Sequence, residues 1–294
     1  MDELISSYLA YLKDEQGRSA NTIASYRRDL TQAADFFASQ GVASWPAVDQ
    51  YLILNLVARL KDQQRSTATI NRRLSALRQF YRYLIRHHHL QFNPMDLVDN
   101  EQVVANNQPV ILGEDEIERL LALPARGQLA KRDRALIALM AATGMRVSEI
   151  VKLQLTDLHL DVKMIRLGNA TKRERLVPVS DTSVAALQNY LTDVRPQLAN
   201  DDEQAVFVNA HGKQLTRQGI WKNLRERVSA AGIDKRVTPQ TLRYSFAVHL
   251  LNNGADTRLV QEMLGYSEMR VLKPYLKMTV QELSADYARH QPWK

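Results

Sequence analysis

Apolar residues recur every three or four positions through most of the chain and alternate in only a few short stretches, so the pattern predicts a mainly α protein with a small β-sheet or hairpin. Residues 3–16 place Leu4, Ile5, Tyr8, Leu9 and Leu12 on one helical face, which ends near Gly17. A second helix starts at Ser19-Ala-Asn-Thr22 and runs to Gly41, with Ile23, Tyr26, Leu30, Ala34 and Phe37 on its apolar side. Trp45-Pro-Ala-Val48 reads as a turn into a third helix over residues 47–61. In the fourth, Ser66 or Thr67 caps a run through Ile70, Leu74, Leu77, Phe80, Tyr81 and Leu84. Its opposite face carries Arg65, Arg72, Arg73, Arg78, Arg82 and Arg86.

Asn93-Pro94 stops the fourth helix, and residues 96–110 have neither period nor sustained apolar content. They predict a linker between a helical domain over 1–95 and a second, mixed but mostly helical domain over 111–294. The second domain opens with an acidic first turn at Gly113-Glu-Asp-Glu116 and continues with an apolar helix from Lys131 to Ala142. Gly144 breaks that helix. Arg146 then stands at the start of the next, Val147 to Leu153, with Glu149 close enough to orient its guanidinium. Residues 162–168 alternate as a strand, Asn169 to Arg173 turn, and Glu174 to Val179 return as a second strand. Lys172 and Arg173 sit at the tip of this hairpin, placed either in a partner's groove or in solvent.

Further on, the pattern predicts a helix from Thr182 to Leu191, a short strand over Ala205-Val-Phe-Val208, and a helix from Thr216 to Ala230. The last bears Arg217, Lys222, Arg225 and Arg227. Thr238 caps the next helix, Pro239 fits its first turn, and Leu242, Phe246, Leu250 and Leu251 recur until Gly254. Gln240 and Arg243 are three apart and emerge on one face of it. Another helix runs from Arg258 to Gly265, Tyr266 to Tyr275 turn the chain back, and Val280 to Tyr287 form a weakly amphipathic tail.

The chain has 39 Lys and Arg against 32 Asp and Glu, a formal charge of +7, which favours a polyanionic partner. Arg27, Arg28, Arg72 and Arg73 are either phosphate contacts or a solvated basic face. With no cysteine, disulfides and thiolate chemistry are excluded. The start, Met1-Asp-Glu-Leu-Ile5, is acidic where a secretory signal is basic, and no apolar run approaches membrane-spanning length, so a cytoplasmic protein without membrane partners is expected. Three adjacent residues, His87-His-His89, cannot converge tetrahedrally on a metal and read as a polar helix end.

Arg146, Arg243 and Tyr275 together suggest chemistry on a phosphodiester. Two guanidinium groups would clamp the nonbridging oxygens as charge grows on phosphorus. The Tyr275 hydroxyl would attack, leaving a covalent phosphotyrosyl link to DNA; the alternative is that Tyr275, one of 11 tyrosines, only packs. That link conserves the energy of the broken bond, so rejoining needs no cofactor. A departing 5′ oxygen needs a proton, and a hairpin lysine is the natural donor.

The chain resembles the tyrosine recombinases of the phage-integrase family, of the bacterial Xer type, over essentially its whole length. The resemblance is carried by Asn21-Thr-Ile-Ala-Ser-Tyr-Arg-Arg-Asp-Leu30, Ala142-Thr-Gly-Met-Arg-Val-Ser-Glu-Ile150, Glu174-Arg-Leu-Val-Pro178, Thr238-Pro-Gln-Thr-Leu-Arg-Tyr-Ser-Phe-Ala-Val-His-Leu-Leu251 and Gln261-Glu-Met-Leu-Gly-Tyr-Ser267. It implies an N-terminal core-binding domain and a catalytic domain that clamp double-stranded DNA, with four protomers exchanging strands at two paired sites, alone or with a second recombinase. Arg146 and Arg243 match the family's two arginines, and Tyr275 matches its nucleophile. Gln240 stands where the family usually has histidine, and Tyr266 stands at the second histidine position. Counted without gaps from Arg146, the lysine position falls on Ala170, and Lys172 substitutes only if the hairpin tip changes register. Two outcomes follow: a working recombinase, or a catalytically impaired relative that binds sites or regulates a partner.

Overall fold

The computed structural model describes residues 1–88, 90–96, 98–101, 109–169 and 172–265, with backbone alone at 169, 172 and 173. The chain divides into two compact units, Met1–Asn107 and Gln108–Lys294.

Among its described residues the first unit has four α-helices: α1 (Asp2–Asp14), α2 (Ala20–Ser39), α3 (Gln50–Asp62) and α4 (Thr67–His88). Side chains start three of them, since Ser19 accepts from the Thr22 amide, Asp49 from the Leu52 amide and Ser66 from the Thr69 amide. Their apolar stripes meet around Tyr8, Leu30, Phe37, Trp45, Phe80 and Tyr81, all at most 2% exposed. Two of these aromatics satisfy their polar tips within the core, Trp45 Nε1 donating to the Met1 carbonyl at 3.1 Å and Tyr81 Oη to the Trp45 carbonyl at 3.1 Å.

Two sequence expectations change in this unit. Arg73 does not face outward: it is 13% exposed and turns to the buried Asp29, with Nε 3.8 Å from Oδ1, while Arg72 pairs with the other oxygen of the same carboxylate. A carboxylate buried without partners is costly, so Asp29 holds Arg73 inward and pairs with the guanidinium of Arg72, whose side chain stays exposed. Arg27 and Arg28, by contrast, are exposed. Packing also continues past residue 96, because Val98 is 4% exposed and the Asn71 amide brackets the Glu101 backbone with two 2.8 Å hydrogen bonds. The ring of His87 stacks on Tyr83, and His88 Nε2 lies 3.4 Å from the Tyr83 hydroxyl.

The second unit contains α5 (Glu114–Ala122), α6 (Gln128–Thr143), α7 (Val147–Lys152), a small antiparallel sheet, α8 (Asp181–Asp193), α9 (Arg195–Leu198), α10 (Arg217–Ala230), α11 (Pro239–Asn252) and α12 (Thr257–Leu264). The sheet has the order β1 (Leu158–His159), β2 (Met164–Asn169), β3 (Lys172–Pro178). Its register runs from Met164↔Pro178 to Leu167↔Arg175 and then shifts to Asn169↔Lys172. Two residues of β3, Arg173 and Glu174, therefore oppose the single Gly168, whose φ of 100° suits glycine.

Apolar α6 forms the centre of this core, with Ala135, Leu136, Ile137 and Leu139 all fully buried. The expected strand over 205–208 is absent. Its residues make isolated bridges, Gln154↔Ala205 and Val208↔Gln214, and the Val206 carbonyl and Val208 amide are both satisfied by the Tyr190 hydroxyl, at 3.1 and 3.3 Å. Arg227 is also no surface residue: it is 9% exposed, donates to the Leu123 carbonyl and leaves its Nε buried with no hydrogen-bond partner among the described residues. Among the described residues no helix is long and apolar enough to cross a membrane.

Candidate active site

The site forms where three helix ends meet β3. Helix α6 stops at Gly144, which takes a left-handed conformation with φ 58°. A Cβ there would come within 2.6 Å of Phe246 and 2.8 Å of Leu264, so only glycine lets α6 end against α11 and α12. Two residues later Arg146 precedes α7. Its amide donates to Glu149 Oε2 at 2.7 Å, and its Nη1 lies 3.1 Å from Glu149 Oε1, the orienting contact that their spacing predicts.

Arg243 comes from the second turn of α11. Thr238 caps that helix by accepting from the Thr241 amide at 3.0 Å, and the Thr241 hydroxyl accepts in return from the Thr238 amide at 3.1 Å. Arg243 is only 2% exposed. Its Nη1 donates to the Gly144 carbonyl and its Nη2 to the Leu264 carbonyl at 2.6 Å.

Helix α12 ends with Gly265 in the left-handed region, leaving three successive carbonyls at its C-terminus. Each receives a different arginine: Met263 from Arg175 Nε at 2.8 Å, Leu264 from Arg243 at 2.6 Å, and Gly265 from Arg146 Nη2 at 3.1 Å. Cations suit this end of a helix, where the backbone dipole is negative. Three guanidinium groups are thereby gathered immediately before the segment that carries Tyr266 and Tyr275.

Glu149 sets the electrostatics of the cluster. Burial opposes ionisation of its carboxyl, yet the hydrogen bond from Arg175, the Arg146 amide and the charges of both arginines hold it below the usual carboxylate range.

Beside these groups opens a cleft of about 320 Å³, lined by Arg146, Arg243, Gln240, Arg217 and Trp221 among others. The structure thus brings Arg146, Gln240 and Arg243 to one cavity. Gln240 is exposed in the first turn of α11, where its amide can donate a hydrogen bond. The backbone of Lys172 opens β3, while Ala170, Tyr266, Tyr275 and the tail from Val280 to Tyr287 lie outside the described residues. Trp221, 48% exposed, is a cleft residue that sequence reading did not single out. Its spacing of four from Arg217 on α10 was the available signal.

The chain belongs to the phage integrase family: residues 111–282 match the family described as phage integrase, and residues 5–88 match the one described as the phage integrase N-terminal SAM-like domain. It is 39% identical to the tyrosine recombinase XerD of Oceanobacillus iheyensis and 39% identical to the tyrosine recombinase XerD of Lacticaseibacillus casei, in both cases over 99% of each chain. Among solved structures, the XerH site-specific recombinase bound to palindromic difH substrate has a TM-score of 0.77 at 22% identity, covering 96% of this chain and 84% of that one.

Proposed function

We propose that this protein is a site-specific DNA recombinase that cuts and rejoins double-stranded DNA through a 3′-phosphotyrosyl intermediate at Tyr275. The observation that carries this reading is the convergence of Arg146, Arg243 and Gln240 on one cleft, at the helix end that leads to Tyr275. A phosphate in the cleft would meet Arg146 from α7 and Gln240 from the start of α11, while buried Arg243 supplies a fixed positive charge. Attack by the Tyr275 oxygen on phosphorus forms the protein–DNA ester, and the 5′ oxygen leaves with a proton. Lys172 is the proposed donor. The bulge opposite Gly168 shifts the hairpin register by one residue ahead of Lys172, one of the two positions that separate Ala170 from Lys172. No cofactor is required, since the ester stores the energy for rejoining. The XerD relatives support DNA as partner. The proposal extends to four protomers on two paired sites, with or without a second recombinase, and to a cytoplasmic role in resolving chromosome or plasmid dimers.

The pairing of Ala170, Gln240 and Tyr266 with positions that elsewhere hold proton-transferring groups favours a second reading. In it the protein binds its sites or regulates a partner but cleaves poorly, because a lost general acid removes about 2 to 4 orders of magnitude in rate. A nicked suicide duplex, which traps the cleaved state, tests the first reading. The parent protein should form a denaturation-resistant adduct and Tyr275→Phe should not. Duplex binding without an adduct would select the second reading.

A further inference from the structure

Strand β3 delivers one more guanidinium to this site than the phosphate chemistry uses. Arg175 precedes Val177 by two residues, so strand alternation puts it on the same side as that fully buried valine. Its side chain is 12% exposed. Nη1 lies 2.9 Å from Glu149 Oε1, Nε donates to the Met263 carbonyl at 2.8 Å, and Nη2 is buried with no hydrogen-bond partner among the described residues. The guanidinium lies so close to Gly265 that a Cβ there would come within 3.0 Å of Nη1 and 3.1 Å of Cζ. One side chain thus joins α7, β3 and the end of α12. Only a rigid planar fork meets two acceptors at fixed angles in this way; a lysine offers a single point of charge.

We infer that Arg175 is a positioning residue for the phosphate clamp. It holds Glu149, Glu149 aims Arg146, and its Nε fixes the end of the helix from which the chain continues to Tyr275. Its charge acts as well. Because Glu149 is shared between two guanidinium groups, the pair keeps a net positive charge for an anion; without Arg175, Glu149 neutralises Arg146 alone. The inference rests on the reading of the cleft as a DNA phosphate site, and adds a residue that acts on the phosphate only through others.

Ethylation interference tests it without requiring cleavage. A duplex selected for tight binding from a random-sequence pool is ethylated at scattered phosphates, and bound and unbound fractions are compared for each protein. The clamp phosphate is the position where ethylation weakens the parent but not Arg146→Ala. There the parent should lose about 10-fold in affinity, the worth of one charge-assisted hydrogen bond. Arg175→Ala should lose less than about two-fold at that position, with the pattern at every other phosphate unchanged, and Arg175→Lys should fall between. Arg166→Ala, which removes a cation from neighbouring β2, should keep the parental pattern. Full interference at the clamp phosphate in Arg175→Ala would overturn the inference, as would a uniform loss at all phosphates, the mark of general structural damage. If Arg175→Ala does not fold, Arg175→Lys decides, and a parental pattern in it overturns the inference equally. A parent with no Arg146-dependent position would remove the phosphate site itself, and the role of Arg175 with it.

Discussion

Arg146 and Arg175 share one carboxylate oxygen: Glu149 Oε1 lies 3.1 Å from Nη1 of the first and 2.9 Å from Nη1 of the second. The two arginines come from different elements, so this oxygen ties the start of α7 to β3. Because the folded Glu149 carboxyl ionises below its ordinary value, the native state binds fewer protons than the unfolded chain in the window between the two. The stabilisation is present above the unfolded value and is lost as pH falls through the folded one. Urea unfolding of the parent should therefore show stability dropping on acidification below about pH 5, with a smaller drop in Glu149→Gln. Equal pH slopes in the two proteins would count against the shared-carboxylate account.

The close approach at Gly144 gives a second expectation. Gly144→Ala combines a left-handed backbone with a methyl group 2.6 Å from Phe246 and 2.8 Å from Leu264. Strain of about 1–2 kcal/mol from the backbone and about 1–3 kcal/mol from overpacking should lower stability in urea unfolding.

In the first unit, buried Asp29 separates structural arginines from the exposed pair Arg27 and Arg28. Asp29→Ala leaves Arg73 unpaired at 13% exposure and should cost about 3–5 kcal/mol of stability. Reversing the exposed pair, Arg27→Glu with Arg28→Glu, should leave stability nearly unchanged yet weaken duplex binding. The slope of log affinity against log salt should become shallower by about two, measured by titration at several salt concentrations.

Much of this architecture was legible from apolar period and helix punctuation. The four N-terminal helices follow their stripes closely, and Gly144, Thr238-Pro239 and Gly265 mark helix ends that the structure also uses. What the sequence hid was the destination of charge. Arg72 and Arg73 resemble Arg27 and Arg28 in one dimension, and only the burial of Asp29 distinguishes them. Arg227 lies on the buried side of α10, next to Val228, while Arg225 is exposed. A cue to Arg175 existed in the alternation, because it shares the inward side of β3 with Val177, and an arginine on a buried side needs acceptors. Those acceptors, Glu149 and the Met263 carbonyl, are 26 and 88 residues away in sequence, which no local pattern reveals. The 205–208 run, apolar and short, reads as a strand because burial and strand pairing give the same signature over four residues.

The most direct measurement of the central claim compares two nicked duplexes, one with an ordinary 5′-oxygen leaving group and one with a 5′-thio leaving group, whose sulfur departs without protonation. Adduct formation is followed for the parent, Tyr275→Phe and Lys172→Ala. If Tyr275 attacks while Lys172 supplies the proton, the parent cleaves both duplexes, Tyr275→Phe cleaves neither, and Lys172→Ala cleaves the thio duplex at nearly the parental rate but the ordinary one about 2 to 4 orders of magnitude more slowly. An adduct from Tyr275→Phe, or no adduct from the parent on either duplex, would contradict the account.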